Sequence, residues 1–291
     1  MLVKIEKFFQ IFDKIIKKSR LLTNLIKILI IFISFYVVIT NVNYLELKNN
    51  LISAKFNHSN LIKIFFFLFL VFIFYALRFN ILINKNKKKY KINQTLELNL
   101  YSNLASQFGI FFNIIVRLLF GSKINISSKK VFKVTILENL LTLIFFFILV
   151  PFYIFFFNYN LFIILIFFLV SVYLIYKITI SNYLDTFIIT IVLNFINFLV
   201  IYEVALYIGI KPSNLFIFLI PIVVFLVALP LTPTEWGWRE MLFIKIFNLS
   251  NVSSEQALIL SIIYGLITLI FSIIIVLIHA FFLKTRTSKL L

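Results

Sequence analysis

The chain has 291 residues, of which 63% are hydrophobic and 13% charged, and its mean hydropathy is +1.10. Soluble domains carry about 45–50% apolar and about 25% charged residues, so a soluble enzyme, a secreted disulfide scaffold and a disordered tail are all excluded. Lys and Arg number 28 against 10 Asp and Glu, for a formal charge of +18, and there is no cysteine.

At about 20 apolar residues per crossing, this composition predicts an all-α fold: a polytopic transmembrane helical bundle. The basic residues crowd beside apolar runs, where they set orientation and meet anionic headgroups, so nucleic acid is not an expected partner. Without cysteine there are no thiolate metal sites, disulfides or cysteine nucleophiles. His58 and His279 lack ligand spacing, so neither a metal nor a cofactor is expected.

Residues 1–20 place Ile5, Phe8, Phe9, Phe12, Ile15 and Ile16 among lysines. This spacing predicts a basic amphipathic segment lying in the membrane interface, with the N-terminus cytoplasmic. Residues 21–291 are predicted to form a single integral membrane domain, since no polar segment is long enough to fold alone. Seven stretches read as spans: 21–40, 61–83, 134–157, 161–176, 183–208, 214–230 and 256–283.

Segments 96–120 and 231–250 are apolar but carry charges, among them Glu97 and Arg117 in the first and Glu235, Arg239, Glu240 and Lys245 in the second. Counting charges by the positive-inside rule places the lysine-rich 84–91 linker, Lys129, Lys130 and the C-terminal tail in the cytoplasm. That count favours 96–120 as re-entrant and 231–250 as a broken crossing, for about 7–8 spans in all with one or two re-entrant or broken helices. Irregular backbone at membrane depth needs protein or a wet cavity around it, so a polar cavity between the helices is expected.

The sharpest local signal is PLTPTEWGWRE, residues 230–240. Pro230 and Pro233 interrupt the helix arriving from 214, and Gly237 allows close approach of backbone to a ligand. Trp236 and Trp238, the only tryptophans, flank that glycine. A short helix following the break offers N–H groups to an anion, and Arg239 adds a planar donor fork suited to phosphate. An interfacial loop with tryptophan anchors and a snorkelling arginine fits the same residues.

This run, continued by NVSSEQALILSIIYG, resembles the signature of the lysylphosphatidylglycerol synthase transmembrane-region family of flippase-like proteins. The matching positions are Pro230, Thr232, Gly237, Arg239, Glu240, Val252, Glu255, Ala257, Ser261 and Gly265, with Glu235 standing where the family has a first glycine. A more degenerate first element is similar in Asn103, Gly109 and Arg117, followed by Glu138 and Asn139. Each motif arginine follows a glycine-containing broken segment, an arrangement that points to two related halves around one site.

The resemblance implies movement of a lipid across the bilayer: an anionic or aminoacylated phospholipid, carried through a groove lined by arginine and glutamate. Its expected substrate-binding residues are Arg117, Glu138, Glu235, Gly237, Arg239 and Glu240; no catalytic residue is expected. The chain ends eight residues after the last predicted span, so the aminoacyltransferase domain of the best-understood relatives is expected to be missing. No P-loop occurs, and the chain is not expected to be an enzyme.

The bacterial cytoplasmic (inner) membrane is the expected location, and a membrane phospholipid the expected partner. Two alternatives stay open: an integral-membrane transferase acting on a lipid-linked phosphate, or a non-catalytic membrane partner subunit. A second copy of the chain or a membrane enzyme would serve as protein partner. Of the remaining polar residues, Arg78 reads as snorkelling and Glu203 as solvated at the interface. Asp185 reads as a helix-start acid, and Asn194 and Asn197 as contacts between helices.

Overall fold

The computed structural model describes residues 32–34, 36–53, 57–85, 90–108, 110–124, 126–156, 169–176, 178, 183–227 and 237–287. The amphipathic segment 1–20, Glu235 and the prolines of the 230–240 motif lie outside the described residues. Among those that are described, the regular structure is helical. The labelled helices are α1 (Tyr44–Ser53), α2 (His58–Asn84), α3 (Ile92–Ser106), α4 (Ile110–Lys123), α5 (Ser128–Phe156), α6 (Leu184–Tyr207), α7 (Asn214–Val227), α8 (Trp238–Phe247) and α9 (Ser254–Thr287).

Hydrocarbon offers no hydrogen-bond partner to backbone, so each spanning segment must satisfy its own N–H and C=O groups, and a helix does this. Four of these helices are long and apolar enough to cross a membrane: α2, α5, α6 and α9. Their outer faces expose Phe66, Phe147, Phe195 and Leu277, as lipid contact requires. The chain is an integral membrane protein, and the predicted helical bundle is borne out.

Between the long helices lie two pairs of short ones. The arms α3 and α4 have 15 and 14 residues, about 22 Å at 1.5 Å per residue, too short for about 30 Å of hydrocarbon. They run antiparallel: Tyr101 stacks on Phe120 at 4.4 Å and Arg117 bonds Ser102. The arms α7 and α8, of 14 and 10 residues, form a second antiparallel hairpin. Phe216 stacks on Phe247 at its base, and the Trp238 indole N–H donates to the Leu226 carbonyl near its tip.

Segment 96–120 therefore folds as the two arms of a hairpin. Of the stretch 214–230, expected to span by itself, the described part, Asn214–Val227, is a half-length arm, and Trp238–Phe247, within 231–250, packs back against it. Apolarity alone could not show this, because a half-length arm buried in a bundle is as apolar as a span.

The order long, short, short, long thus occurs twice, in α2–α5 and in α6–α9. Packing repeats with it. In each half the first long helix touches the first arm and the closing helix, the arms touch each other, and the second arm touches the closing helix. The halves join through α2 and α6, which run antiparallel: the Asn57 N–H donates to the Tyr207 carbonyl and Lys63 faces Glu203. The first hairpin springs from the C-terminal end of α2 and the second from that of α6. Their bases consequently lie at opposite ends of the bundle, separated by the length of α2, about 40 Å for 27 residues.

Each end has its own apolar packing. Phe79, Leu82, Ile83, Leu98, Ile126 and Val131 bury the base of the first hairpin. The larger cluster, including Ile64, Val200, Val204, Phe216, Phe243 and Phe247, holds the second. The two hairpins approach each other inside the bundle along α9. Gln107, just past the end of α3, accepts a hydrogen bond from Thr268, while Arg239 of α8 lies against Gly265 and Ser261. Residues 261 and 268 are about 10 Å apart along the helix axis.

Candidate functional site

At the level of Gln107 and Arg239 a cavity of about 280 Å³ with polar and apolar walls opens between the halves. Arg117 enters it from the second arm of one hairpin and Arg239 from the second arm of the other; Arg78, Glu138, Asn194 and Asn197 complete the wall from α2, α5 and α6. Arg117 and Arg239, 122 residues apart in sequence, are both 97% buried and border the same space.

A buried guanidinium without partners would be prohibitively costly, and each arginine is accordingly provided for. Arg117 donates to the Asn99 side-chain oxygen at 2.9 Å, to the Ser102 and Thr135 hydroxyls at 3.2 Å each, and to Glu138 Oε2. Its guanidinium also stands 4.8 Å from the Phe79 ring centroid. Glu138 is shared: its Oε1 accepts from Arg78 Nε at 3.2 Å, and Arg78 reaches the Thr142 hydroxyl with Nη1. The result is a buried Arg–Glu–Arg triad across α2, α4 and α5.

In the second half, Arg239 donates to Glu240 Oε1 at 2.9 Å and to the Ser261 hydroxyl at 3.2 Å. The other carboxylate oxygen of Glu240 accepts the backbone N–H of Gly237. Gly237 has φ +85 and precedes α8, a left-handed conformation for which glycine is the natural occupant. One N–H at the positive end of that helix, that of Gly237, is thus taken by Glu240 of the same helix. Gly265 makes room for the arginine: a Cβ there would stand 2.3 Å from Arg239 Nη2.

The sequence-predicted residues therefore divide. Arg117, Glu138 and Arg239 border the cavity. Glu240 and Gly237 sit behind Arg239 and orient it, and Glu235 lies outside the described residues.

Arg78 corrects the reading from sequence. Far from snorkelling, it is 97% buried and ion-paired. Helix α2 is apolar all round, so no polar stripe disclosed which face Arg78 occupies. The available signal was its i, i+3 neighbour Tyr75, whose ring centroid lies 5.0 Å from the Arg78 guanidinium. Glu203 is also corrected: it is 92% buried, 3.8 Å from Lys63, with Oε2 lacking a hydrogen-bond partner among the described residues. Asn194 and Asn197 reach the cavity wall, and Asn194 donates within its own helix to Thr190.

Membrane-length helices packed around two pairs of half-length helices, with a cavity bordered by buried arginines between them, define a class of protein: a polytopic helical integral membrane protein. Residues 177–275, about a third of the chain, match the family described as lysylphosphatidylglycerol synthase TM region. Over that stretch, from α6 through most of α9, the resemblance carried by PLTPTEWGWRE holds. No curated protein and no solved structure matches the chain.

Proposed function

We propose that the chain translocates an anionic phospholipid across the membrane, its headgroup passing through the cavity while the acyl chains remain in lipid. The observation that carries this reading is the convergence of Arg78, Arg117 and Arg239, from both halves, on one internal cavity. Charged groups at such depth are costly and mark pathways for charged substrates. Planar guanidinium forks suit phosphate oxygens, and a headgroup phosphate that exchanges water for these donors crosses hydrocarbon at a reduced cost.

The positive-inside rule supports an orientation as well. Lys129, Lys130 and Lys133 lie at the base of the first hairpin, a charge pattern that favours a cytoplasmic position for that base. With bases at opposite ends of the bundle, the second hairpin enters from the opposite face. The cytoplasmic membrane of a bacterium fits this arrangement.

A transferase is less well supported. The cavity carboxylate Glu138 is bound by two arginines, and both oxygens of Glu240 are engaged. Neither is placed to exchange protons with a substrate.

The test is scrambling in proteoliposomes carrying fluorescent phosphatidylglycerol, with dithionite bleaching the outer leaflet. The wild-type chain is expected to bleach the pool beyond the outer-leaflet share. Arg239→Gln, folded by size exclusion, should return it to the level of empty vesicles. Wild-type bleaching equal to empty vesicles would overturn the reading.

A further inference from the structure

A headgroup can occupy the cavity with its acyl chains still in lipid only if a seam between the surrounding helices parts. Two seams are related by the repeat: in each, the first arm of one half meets the closing helix of the other, α3 against α9 and α7 against α5. They are built of opposite materials. Where α7 meets α5, the Phe146 and Phe225 ring centroids lie 5.0 Å apart, and Leu141, Phe145 and Val224 belong to the same apolar cluster. Where α3 meets α9, the edges are polar: Asn103, Ser106 and Gln107 on one side, Thr268 and Ser272 on the other, all of them lining the cavity.

Across this polar seam the Thr268 hydroxyl donates to the Gln107 side-chain oxygen at 3.2 Å. The same hydroxyl stands 2.9 Å from the Gly265 carbonyl and 3.0 Å from that of Tyr264, so its proton keeps an acceptor in its own helix when Gln107 leaves. Ser272 donates to the Thr268 carbonyl and Ser106 to that of Asn103. Parting the seam therefore strands none of these hydroxyls, and a stranded donor is what makes opening a buried polar contact costly.

The other joints around the cavity are tied by charge or by apolar packing. Glu138 holds α2 and α4 to α5 through Arg78 and Arg117, and Arg239 holds α8 to α9 through Ser261; parting these would bare a buried charge. Helices α2 and α6 share the cluster that includes Ile64, Val200 and Val204. A charged headgroup drawn between α5 and α7 would exchange water for phenylalanine. Between α3 and α9 it would exchange water for amides and hydroxyls that both donate and accept.

Resting on the translocator reading, we infer that the α3–α9 seam is a lateral portal for a membrane lipid, with Gln107 and Thr268 as its latch. Toward the base of the first hairpin the seam continues to Tyr101 and His279, whose rings meet edge-on at 6.1 Å, so it opens to the leaflet at that base. Phe108, the residue after Gln107, is 53% exposed and gives the glycerol end of the lipid an apolar lip.

The chain has no cysteine, so the double variant Gln107→Cys, Thr268→Cys can be joined by a short bis-methanethiosulfonate and released by dithiothreitol in the same vesicles. Linking should bring scrambling of fluorescent phosphatidylglycerol down to the level of empty vesicles, and reduction should restore it. A second readout needs no transport. The wild-type chain is irradiated in vesicles of phosphatidylglycerol carrying a diazirine on the first carbons of an acyl chain, and adducts are mapped by mass spectrometry. They should be enriched several-fold at residues 103–108 and 264–272 over the outer faces of α2 and α6, and linking the double variant should remove the enrichment.

Adducts enriched between α5 and α7 instead, or enriched nowhere, would overturn the portal, and the wild-type map decides this even if the double variant misfolds. Enrichment at the seam in a chain that does not scramble would sink translocation while upholding the portal. Scrambling that persists through a complete link would do the reverse.

Discussion

The two halves place an arginine at the same position, on the second arm of a hairpin, and neutralise it differently. In the first, the counter-ion Glu138 lies 21 residues downstream on the closing helix α5 and is shared with Arg78. In the second, the counter-ion is the next residue, Glu240, and the closing helix α9 presents Ser261, 22 residues downstream. Moving the carboxylate from closing helix to arm changes what each network does. The first ties three helices together and keeps a surplus positive charge; the second balances itself within α8 and caps that helix.

The sharpest way to break this comparison is Glu138→Leu. Removing the shared carboxylate leaves two buried guanidinium groups facing each other, and breaking a buried pair costs about 3–5 kcal/mol. Thermal unfolding in detergent should show a fall of that order. Replacing Arg78, Arg117 and Glu138 together by apolar residues should recover much of it, because a buried triad exchanged for apolar packing is often neutral. If the single variant unfolds like wild type, the triad has no structural role.

Glu240→Gln should cost less, about 1–3 kcal/mol for one unsatisfied buried donor, because one arginine is affected and the amide still accepts the Gly237 N–H. A loss equal to that of Glu138→Leu would erase the distinction between the halves. Gly265→Ala should be milder for stability, about 1–3 kcal/mol at most for overpacking, yet should abolish scrambling, since the new methyl occupies the space of Arg239 Nη2. Retained scrambling would place Arg239 off the path.

The smallest effect concerns pH. Lys85, just beyond α2, stacks over Tyr183, and burial holds its ammonium below the usual lysine range despite the raising influence of Asp185. Folding therefore disfavours its charged form. Stability should rise slightly as pH climbs through the lowered value and level off near 10.5. Solvent screening keeps the change small. Lys85→Met should flatten the rise in melting temperature, and an unchanged slope would count against this.

The helical bundle and the family resemblance over residues 177–275 were legible in the sequence, and polar residues inside apolar runs stood out there. Arg117, Glu138 and Arg239 were found in this way. Arg78 was not: it lies near the end of an apolar helix, where snorkelling and pairing leave the same local pattern, and only the partner from α5 distinguishes them. Segment 214–230 misled for a related reason: hydropathy gives apolarity but not that Asn214–Val227 packs against Trp238–Phe247 as a half-length arm. Asn194 and Asn197, three residues apart on α6, could have been assigned to a shared wall only after the neighbouring helices were in place.

The opposed hairpins have a consequence for permeability. The described arms reach only part of the way through the bundle, and Gln107 of one pair and Arg239 of the other meet α9 within two turns of each other. A column of water advancing from either end therefore meets protein before it reaches the far side, and the two plugs act in series. Withdrawing one would admit solvent to the arginines while the other still held back ions, so leakage should require loosening both ends at once.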